Sequence, residues 1–327
     1  MSATLKHARR GTSVYGAVLL IILAVLIAAT VGIYASYVHD LTAARARLVG
    51  RSKTMTTSFG TMEYALVGQG RPILIIHGAE GGFDQSIDMA GELAGQGYQL
   101  IAPSRFGYLR STLPAAPTTA MQADAYAELL DRLGIDKVVV VGISAGAWSS
   151  LQFAIRHPER CRALVLLGPA DYLPVGTSIH GGAIVSAMTK SDFLAWTAFK
   201  LMPVMGSGVT GMMLGTDPAV LRAADFSEKA RVQQILDHLL PVSQRLAGMN
   251  FDIRTAATVE PYPLEKITCP VLTISAEDDR FGTAARAQYI AAHVPGAKVI
   301  LFPTGGHALV CHYADALRDV TSFLATL

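Results

Sequence analysis

Charge is scarce in this chain: 16% of the residues are Asp, Glu, Lys or Arg, the net charge is +2, and no basic stripe is present that could track a phosphate backbone. That excludes nucleic acid as a partner. Cysteine is scarcer still. Cys161, Cys269 and Cys311 are odd in number and far apart, which rules out a disulfide framework or a zinc-type spacing and leaves room for one opportunistic pair at most. All three are expected to be small buried or half-buried residues. The chain has no internal repeat, no low-complexity tract, no metal-binding motif and no cofactor fingerprint, so neither a metal nor a cofactor is expected.

What the chain has in excess is apolar surface. Mean hydropathy is +0.37, high for a wholly soluble protein, and the cause lies near the N-terminus. A basic tail over 1–13 carries Lys6, Arg9 and Arg10; residues 14–37 then contain no charge. At ~1.5 Å per residue that run crosses a hydrocarbon core of ~30 Å, and it exceeds the ~7 to 15 apolar residues of a cleaved signal peptide, so it predicts an uncleaved single-pass membrane anchor. Tyr15, Tyr34 and Tyr37 fall near its two ends, where aromatic rings favour the interface. A basic juxtamembrane linker over 38–53 follows, with Arg45, Arg47, Arg51 and Lys53. The basic tail favours an inside N-terminus and hence an extracytoplasmic domain. The second cluster pulls the other way, unless it lies against anionic headgroups.

Past Lys53 the pattern becomes an alternation of strands and helices. Thr54 to Phe59 and Thr61 to Val67 alternate apolar and polar residues around Gly60, which predicts an edge hairpin. Short apolar runs at Ile73–Ile76, Tyr98–Pro103, Val138–Val141, Ala163–Leu167, Val271–Ser275 and Lys298–Phe302 predict buried strands. Between them, helical periodicity appears at Phe83–Gly95, at Ala123, Tyr126, Leu130 and Leu133, at Ala284–His293, and at Leu317, Val320 and Leu324. Such alternation implies an α/β fold with a mostly parallel, doubly wound sheet, assigned to residues 54–170 and 269–327. Residues 171–268 break the pattern. They read as a helical insertion rich in methionine, with Met188, Met202, Met205, Met212, Met213 and Met249 serving either as its core or as an adaptable apolar wall over a site.

The chemistry-bearing residues lie just after predicted strands. Gly142-Ile143-Ser144-Ala145-Gly146 puts a serine on a sharp strand-to-helix turn, with flanking glycines that let the helix pack against the sheet. A serine hydroxyl needs a base and a group to orient that base. His307, in the flexible stretch Thr304-Gly305-Gly306-His307 after the last strand, is the best base among nine histidines; His312 reads as a residue on a helix face, and His157 and His293 as helix-end residues. Asp278 and Asp279 both follow a strand and cannot be separated as the orienting acid from spacing, and Asp171 is a third candidate. Two backbone N–H donors for an oxyanion are expected from Ala145, after the serine, and from Ala79, after His77-Gly78. Glu80 reads as a solvated loop residue. Sheets of this kind bind ligands beyond the carboxyl ends of their strands, so these elements converge on one edge.

From about Thr57 to Leu327 the chain resembles the α/β-hydrolase fold superfamily, in its esterase, lipase and haloperoxidase-like group. The order Ser144, Asp279, His307 matches that family's nucleophile, acid and histidine order. Its Gly-x-x-Asp pattern aligns with Ala276-Glu277-Asp278-Asp279, and this resemblance selects Asp279. Two departures stand out. Ala276 replaces the usual glycine, and Ser104 to Ser111 resembles Asp-x-x-Gly-x-Gly-x-Ser with Ser104 and Leu109 in place of the Asp and the second Gly. The resemblance makes 171–268 a cap domain and implies a membrane-anchored serine hydrolase acting on an ester-type bond of a small apolar substrate. Carbon–carbon bond, thioester and lactone hydrolysis on the same triad, or ligand binding without turnover, are the alternatives.

Overall fold

The computed structural model describes residues 3–172 and 191–327, in two compact units, Met1–Ala46 and Arg47–Leu327. A single helix, α1 (Ala3–Leu48), accounts for the first. Its stretch from Val14 to Leu48 is, among the described residues, the one helix long and apolar enough to cross a membrane. The linker expected over 38–53 is helical as far as Leu48, because Ala43, Ala44 and Ala46, alternating with Arg45 and Arg47, are strong helix formers.

The second unit is built on an eight-stranded sheet in the order β1-β2-β4-β3-β5-β6-β7-β8. The strands are β1 (Lys53–Thr57), β2 (Gly60–Gly68), β3 (Arg71–Ile76), β4 (Tyr98–Pro103), β5 (Val138–Ile143), β6 (Cys161–Leu167), β7 (Val271–Ala276) and β8 (Lys298–Phe302). The β1–β2 hairpin lies at the edge and is antiparallel, as is the β2–β4 pair; β3 to β8 run parallel to one another. Side-chain alternation divides the core in two. Leu74, Val140 and Leu166 pack with Leu130 of α3 (Thr119–Arg132) and Leu151 and Phe153 of α4 (Gly146–Arg156). Ile75, Val141 and Val165 face Leu93 of α2 (Phe83–Ala94) and Val320 of the terminal helix Tyr313–Leu324. With both faces covered, β5 is buried at every position, which is why it reads as an unbroken valine run.

The strand order turns at β3, which has β4 on one side and β5 on the other. This is the switch point beyond which ligands bind in open parallel sheets. His77 follows β3 and Ser144 follows β5. Between β6 and β7 the described chain is helical: α5 (Asp192–Met205), α6 (Ser207–Met213), α7 (Pro218–Ala223), α8 (Phe226–Asp237) and α9 (Leu246–Thr258). Met202 and Met249 are core residues of this insertion, Met213 faces a cavity, Met205 and Met212 are exposed, and Met188 lies outside the described residues. Cys161 and Cys269 are buried as free thiols with their sulfurs 3.6 Å apart. Cys311, expected to be covered, is exposed, because the chain takes a left-handed turn there (φ 68°) just before the terminal helix.

Candidate active site

Strand β5 ends at Ile143, and α4 begins at Gly146, so the chain reverses within two residues. Ser144 absorbs the reversal with φ 49°, a left-handed conformation that a β-carbon makes costly. Three hydrogen bonds hold it there: its N–H donates to the Leu167 carbonyl at 2.9 Å, and its carbonyl accepts from Ala147 N–H at 2.9 Å and from Ala170 N–H at 3.0 Å. Gly146 permits the close approach behind it, since a β-carbon would fall 2.4 Å from the Ile76 oxygen and 2.6 Å from that of His77.

His307 reaches the serine from the loop after β8. Its Nε2 lies 2.9 Å from Ser144 Oγ, and its Nδ1–H donates to Asp279 Oδ2 at 2.9 Å. The Asp279 side chain is 1% exposed and accepts further from Phe281 N–H at 2.8 Å and from the Thr283 hydroxyl. Burial pushes this carboxyl up, but the imidazole and these two donors outweigh it and hold the group below its ordinary range, so it stays ionised. Asp278, inseparable from Asp279 by spacing, plays a different part. It accepts the N–H groups of Gly306 at 2.8 Å and Gly305 at 3.3 Å, and so shapes the loop that carries the histidine. Asp171 is also buried, but neither of its oxygens has a hydrogen-bond partner among the described residues, and burial raises its carboxyl to about 6. The remaining histidines lie elsewhere. His312 stacks on Phe302 at the start of the terminal helix, His157 pairs with Asp124, and His293 bonds the Tyr289 carbonyl.

The N–H groups of Ala145 and Ala79 flank the serine, and among the described residues neither donates to a protein acceptor. The loop that carries Ala79 is held firmly. Burial, and then the neighbouring Arg105, push the His77 imidazole well below its ordinary range; as a neutral ring it accepts Arg105 N–H on Nε2 at 2.8 Å and donates from Nδ1 to the Gly78 carbonyl at 2.7 Å. The Arg105 guanidinium bonds the same carbonyl at 3.0 Å and grips Asp252 of α9 through two bonds, of 2.8 and 2.5 Å. Tyr108 hydroxyl donates to Asp252 at 2.5 Å, and Glu80 N–H donates to that hydroxyl at 3.3 Å. Further along the loop, the fully buried Arg245 bonds the Gly81 carbonyl and both oxygens of Asp84, to which Arg47 adds a third contact at 3.0 Å. Spacing gives no sign of Asp252, Arg245 or Asp84, since the Arg105–Asp252 and Arg245–Asp84 pairs each join positions more than 140 apart. The family-like loop does contain Arg105. There, Ser104 in the place of the family's Asp bonds Glu63, and Leu109 keeps the left-handed backbone of the replaced glycine at φ 51°.

Ser144, Ala79, Ala145 and His307 open onto a cavity of about 340 Å³, walled by Met89, Trp148, Leu214, Leu236, Ile253 and Phe281 among others. Insertion and sheet edge thus build the cavity together. Glu80, read from sequence as a solvated loop residue, is half-buried on this wall in a left-handed conformation (φ 61°), and burial lifts its carboxyl to about 7. Among the described residues no group of three or more metal-ligating side chains occurs.

Comparison with known proteins agrees with this arrangement. Residues 71–311 match the model of the alpha/beta hydrolase fold family. An uncharacterized hydrolase of Bacillus subtilis, YcgS, is 28% identical over 270 residues, which is 79% of this chain and 92% of that protein. The 2-hydroxy-6-oxo-6-phenylhexa-2,4-dienoate hydrolase of Burkholderia cepacia is 26% identical over 271 residues, covering 79% and 89%. Among solved structures, an alpha/beta hydrolase fold protein from Nakamurella multipartita superposes with a TM-score of 0.67 at 25% identity, over 83% of this chain and 98% of its own. With the sheet, the elbow and the strand-end convergence in place, the chain belongs to the α/β-hydrolase fold family, and its relatives are hydrolases.

Proposed function

We propose that this protein is a membrane-anchored serine hydrolase that cleaves an ester-type bond in a small, largely apolar substrate. The observation that carries this reading is the unbroken line from Asp279 through His307 to Ser144 Oγ, with 2.9 Å at each step, at the floor of an apolar cavity. In the proposed reaction His307 Nε2 takes the hydroxyl proton as Ser144 Oγ attacks the ester carbonyl. The developing oxyanion is received by Ala79 and Ala145 N–H, and Asp279 balances the imidazolium. The C–O bond breaks, the alcohol leaves with the proton from His307, and water attacks the acyl-enzyme by the same route in reverse. No cofactor or metal takes part.

Similarity to the dienoate hydrolase favours a second reading, carbon–carbon bond hydrolysis on the same residues. The charges around the cavity support the ester reading better. A dienoate carboxylate calls for a cation, whereas among the described residues the wall carries Glu80, Asp252 and one arginine, Arg286, already donating to the carbonyls of Asp171 and Phe281. Labelling with a fluorophosphonate probe tests the function: the folded wild type should label and Ser144→Ala should not. A folded wild type that fails to label, or an alanine variant that labels as well, removes the proposal. For α1 we propose a membrane span with the hydrolase outside the cytoplasm; retention in the pellet after carbonate washing is the expected outcome, and release of a soluble chain lacking residues 14–37 the contrary one.

A further inference from the structure

Two of the three cysteines form a pair that the hydrolase chemistry does not use. Cys161 opens β6, and Cys269 lies two residues before β7, the next strand in the sheet. Leu164 pairs with Val271, so both cysteines sit at the amino ends of neighbouring strands, whose spacing of ~4.8 Å is within the Cα separation of a disulfide. A slip in register turns Cys161 toward its partner. Val138 pairs with Cys161 but Val139 with Ala163, so Arg162 is an extra residue in β6. Cys161 thereby joins the core layer of Leu164 and Leu166, which also holds Cys269, instead of the layer of Ala163 and Val165. The two sulfurs meet at 3.6 Å, unjoined but in contact.

Burial and charge give the two thiols different parts. Cys161 is 1% exposed and Cys269 9%, so Cys269 is the one that a reagent from solvent meets first. Contact with Cys161 holds the Cys269 thiol below its ordinary range in spite of burial, and Lys137 acts in the same direction. The same contact and burial push Cys161 well above its own range. The more open and more acidic thiol is the better attacking group, and the sealed one can act only on its neighbour. Cys311, just before the terminal helix, is an exposed free thiol.

We infer that Cys161 and Cys269 are a covalent modification site, oxidised by a disulfide donor to an intramolecular disulfide that closes the chain around the insertion. The Cys269 thiolate attacks the donor, whose S–S bond breaks as a mixed disulfide forms and one thiolate leaves. The Cys161 sulfur then attacks Cys269, the Cys161–Cys269 bond forms, and the second donor thiolate leaves. The two cysteines are oxidised, the donor is reduced to two thiols, and the two protons the cysteines give up pass to those leaving groups. A domain outside the cytoplasm, as proposed above, meets such donors. Every residue of 171–268 lies between the two cysteines, so the bond restrains the unfolded chain over the whole insertion. It lies at the amino ends of its strands, whereas Ser144 follows the carboxyl end of β5, so it should raise stability and leave turnover alone.

The test uses the full-length protein in detergent, incubated with excess oxidised glutathione, then denatured, alkylated and mapped by peptide mass analysis. The expected product joins the Cys161 and Cys269 peptides and leaves no alkylated form of either, with Cys311 outside the link. Its Tm should exceed that of the dithiothreitol-treated protein by at least ~4 °C, with kcat on one ester within about twofold. In Cys161→Ala and Cys269→Ala the gap between oxidised and reduced samples should vanish, a comparison made within each variant. Full alkylation of both cysteines after oxidation, glutathione left on Cys269 without closure, or a link through Cys311 overturns the site. Membranes alkylated at harvest without reductant separate this inference from the membrane placement. A linked pair there agrees with both; a reduced pair that glutathione links in the purified protein keeps the site and contradicts the extracytoplasmic domain.

Discussion

Two sets of buried charge support the site, built from the same kinds of residue and suited to different work. On one side, Asp279 holds a histidine that is 22% exposed at the cavity floor and can gain and lose a proton. On the other, Asp252 and Asp84 hold the guanidiniums of Arg105 and Arg245, at most 4% exposed, which stay charged and bond backbone carbonyls of the loop that carries Ala79. A carboxylate paired with a titratable, half-open base can move protons. A carboxylate paired with a sealed arginine can only hold geometry.

Substitutions can break this contrast, and the largest effect is expected on the proton-moving side. Ser144→Ala and Asp279→Asn should each lower kcat by ~10⁴-fold or more while leaving the denaturation midpoint near wild type; a large loss of stability instead would make this side a structural device as well. Arg245→Met should do the reverse. Removing one partner of a fully buried pair costs about 3–5 kcal/mol, so urea denaturation should show a marked drop in stability. Activity per folded molecule should fall far less than in Ser144→Ala.

The pH dependence of stability sharpens the contrast further. Burial pushes Asp84 up, but Arg245 and Arg47 overcome it and hold the carboxyl at about 2 against an ordinary 3.8. Its stabilisation is therefore present above the unfolded value and is lost as pH falls from about 4 toward 2. Glu80 runs the other way. With its folded value raised from 4.5 to about 7, the native state keeps a proton that the unfolded chain releases, so stability declines as pH rises between those values. Each effect is on the order of 2 kcal/mol, and Glu80→Gln should flatten the neutral slope while leaving the acid one. The smallest effect is expected from Arg105→Lys, which keeps the charge but gives up the fork between Asp252 and the Gly78 carbonyl: a ~10-fold fall in kcat with KM little changed, read from steady-state kinetics on one ester.

The two sides also differ in how far the sequence reveals them. The strands and the elbow are legible because a strand buried on both faces must be apolar throughout, and because a serine between glycines just after such a strand can only sit on a tight turn. His307 follows from its glycine-rich loop. Asp278 and Asp279 are inseparable in sequence because both follow β7 and only the local turn decides which carboxyl faces the imidazole. The holding side is out of reach. Arg105–Asp252 and Arg245–Asp84 join positions 147 and 161 apart, and nothing local marks such a pair. Glu80 is misread for a related reason: its neighbours in sequence are loop residues, while the wall that buries it comes from the insertion and the terminal helix.

The central claim is that Ser144 becomes covalently acylated during turnover. Rapid acid quenching of the full-length protein with an octanoate ester, followed by peptide mass analysis, tests it most directly. The account predicts an octanoyl group on the peptide containing Ser144 and none when Ser144→Ala is treated alike; turnover with that peptide unmodified, or with the acyl group on another residue, would contradict it.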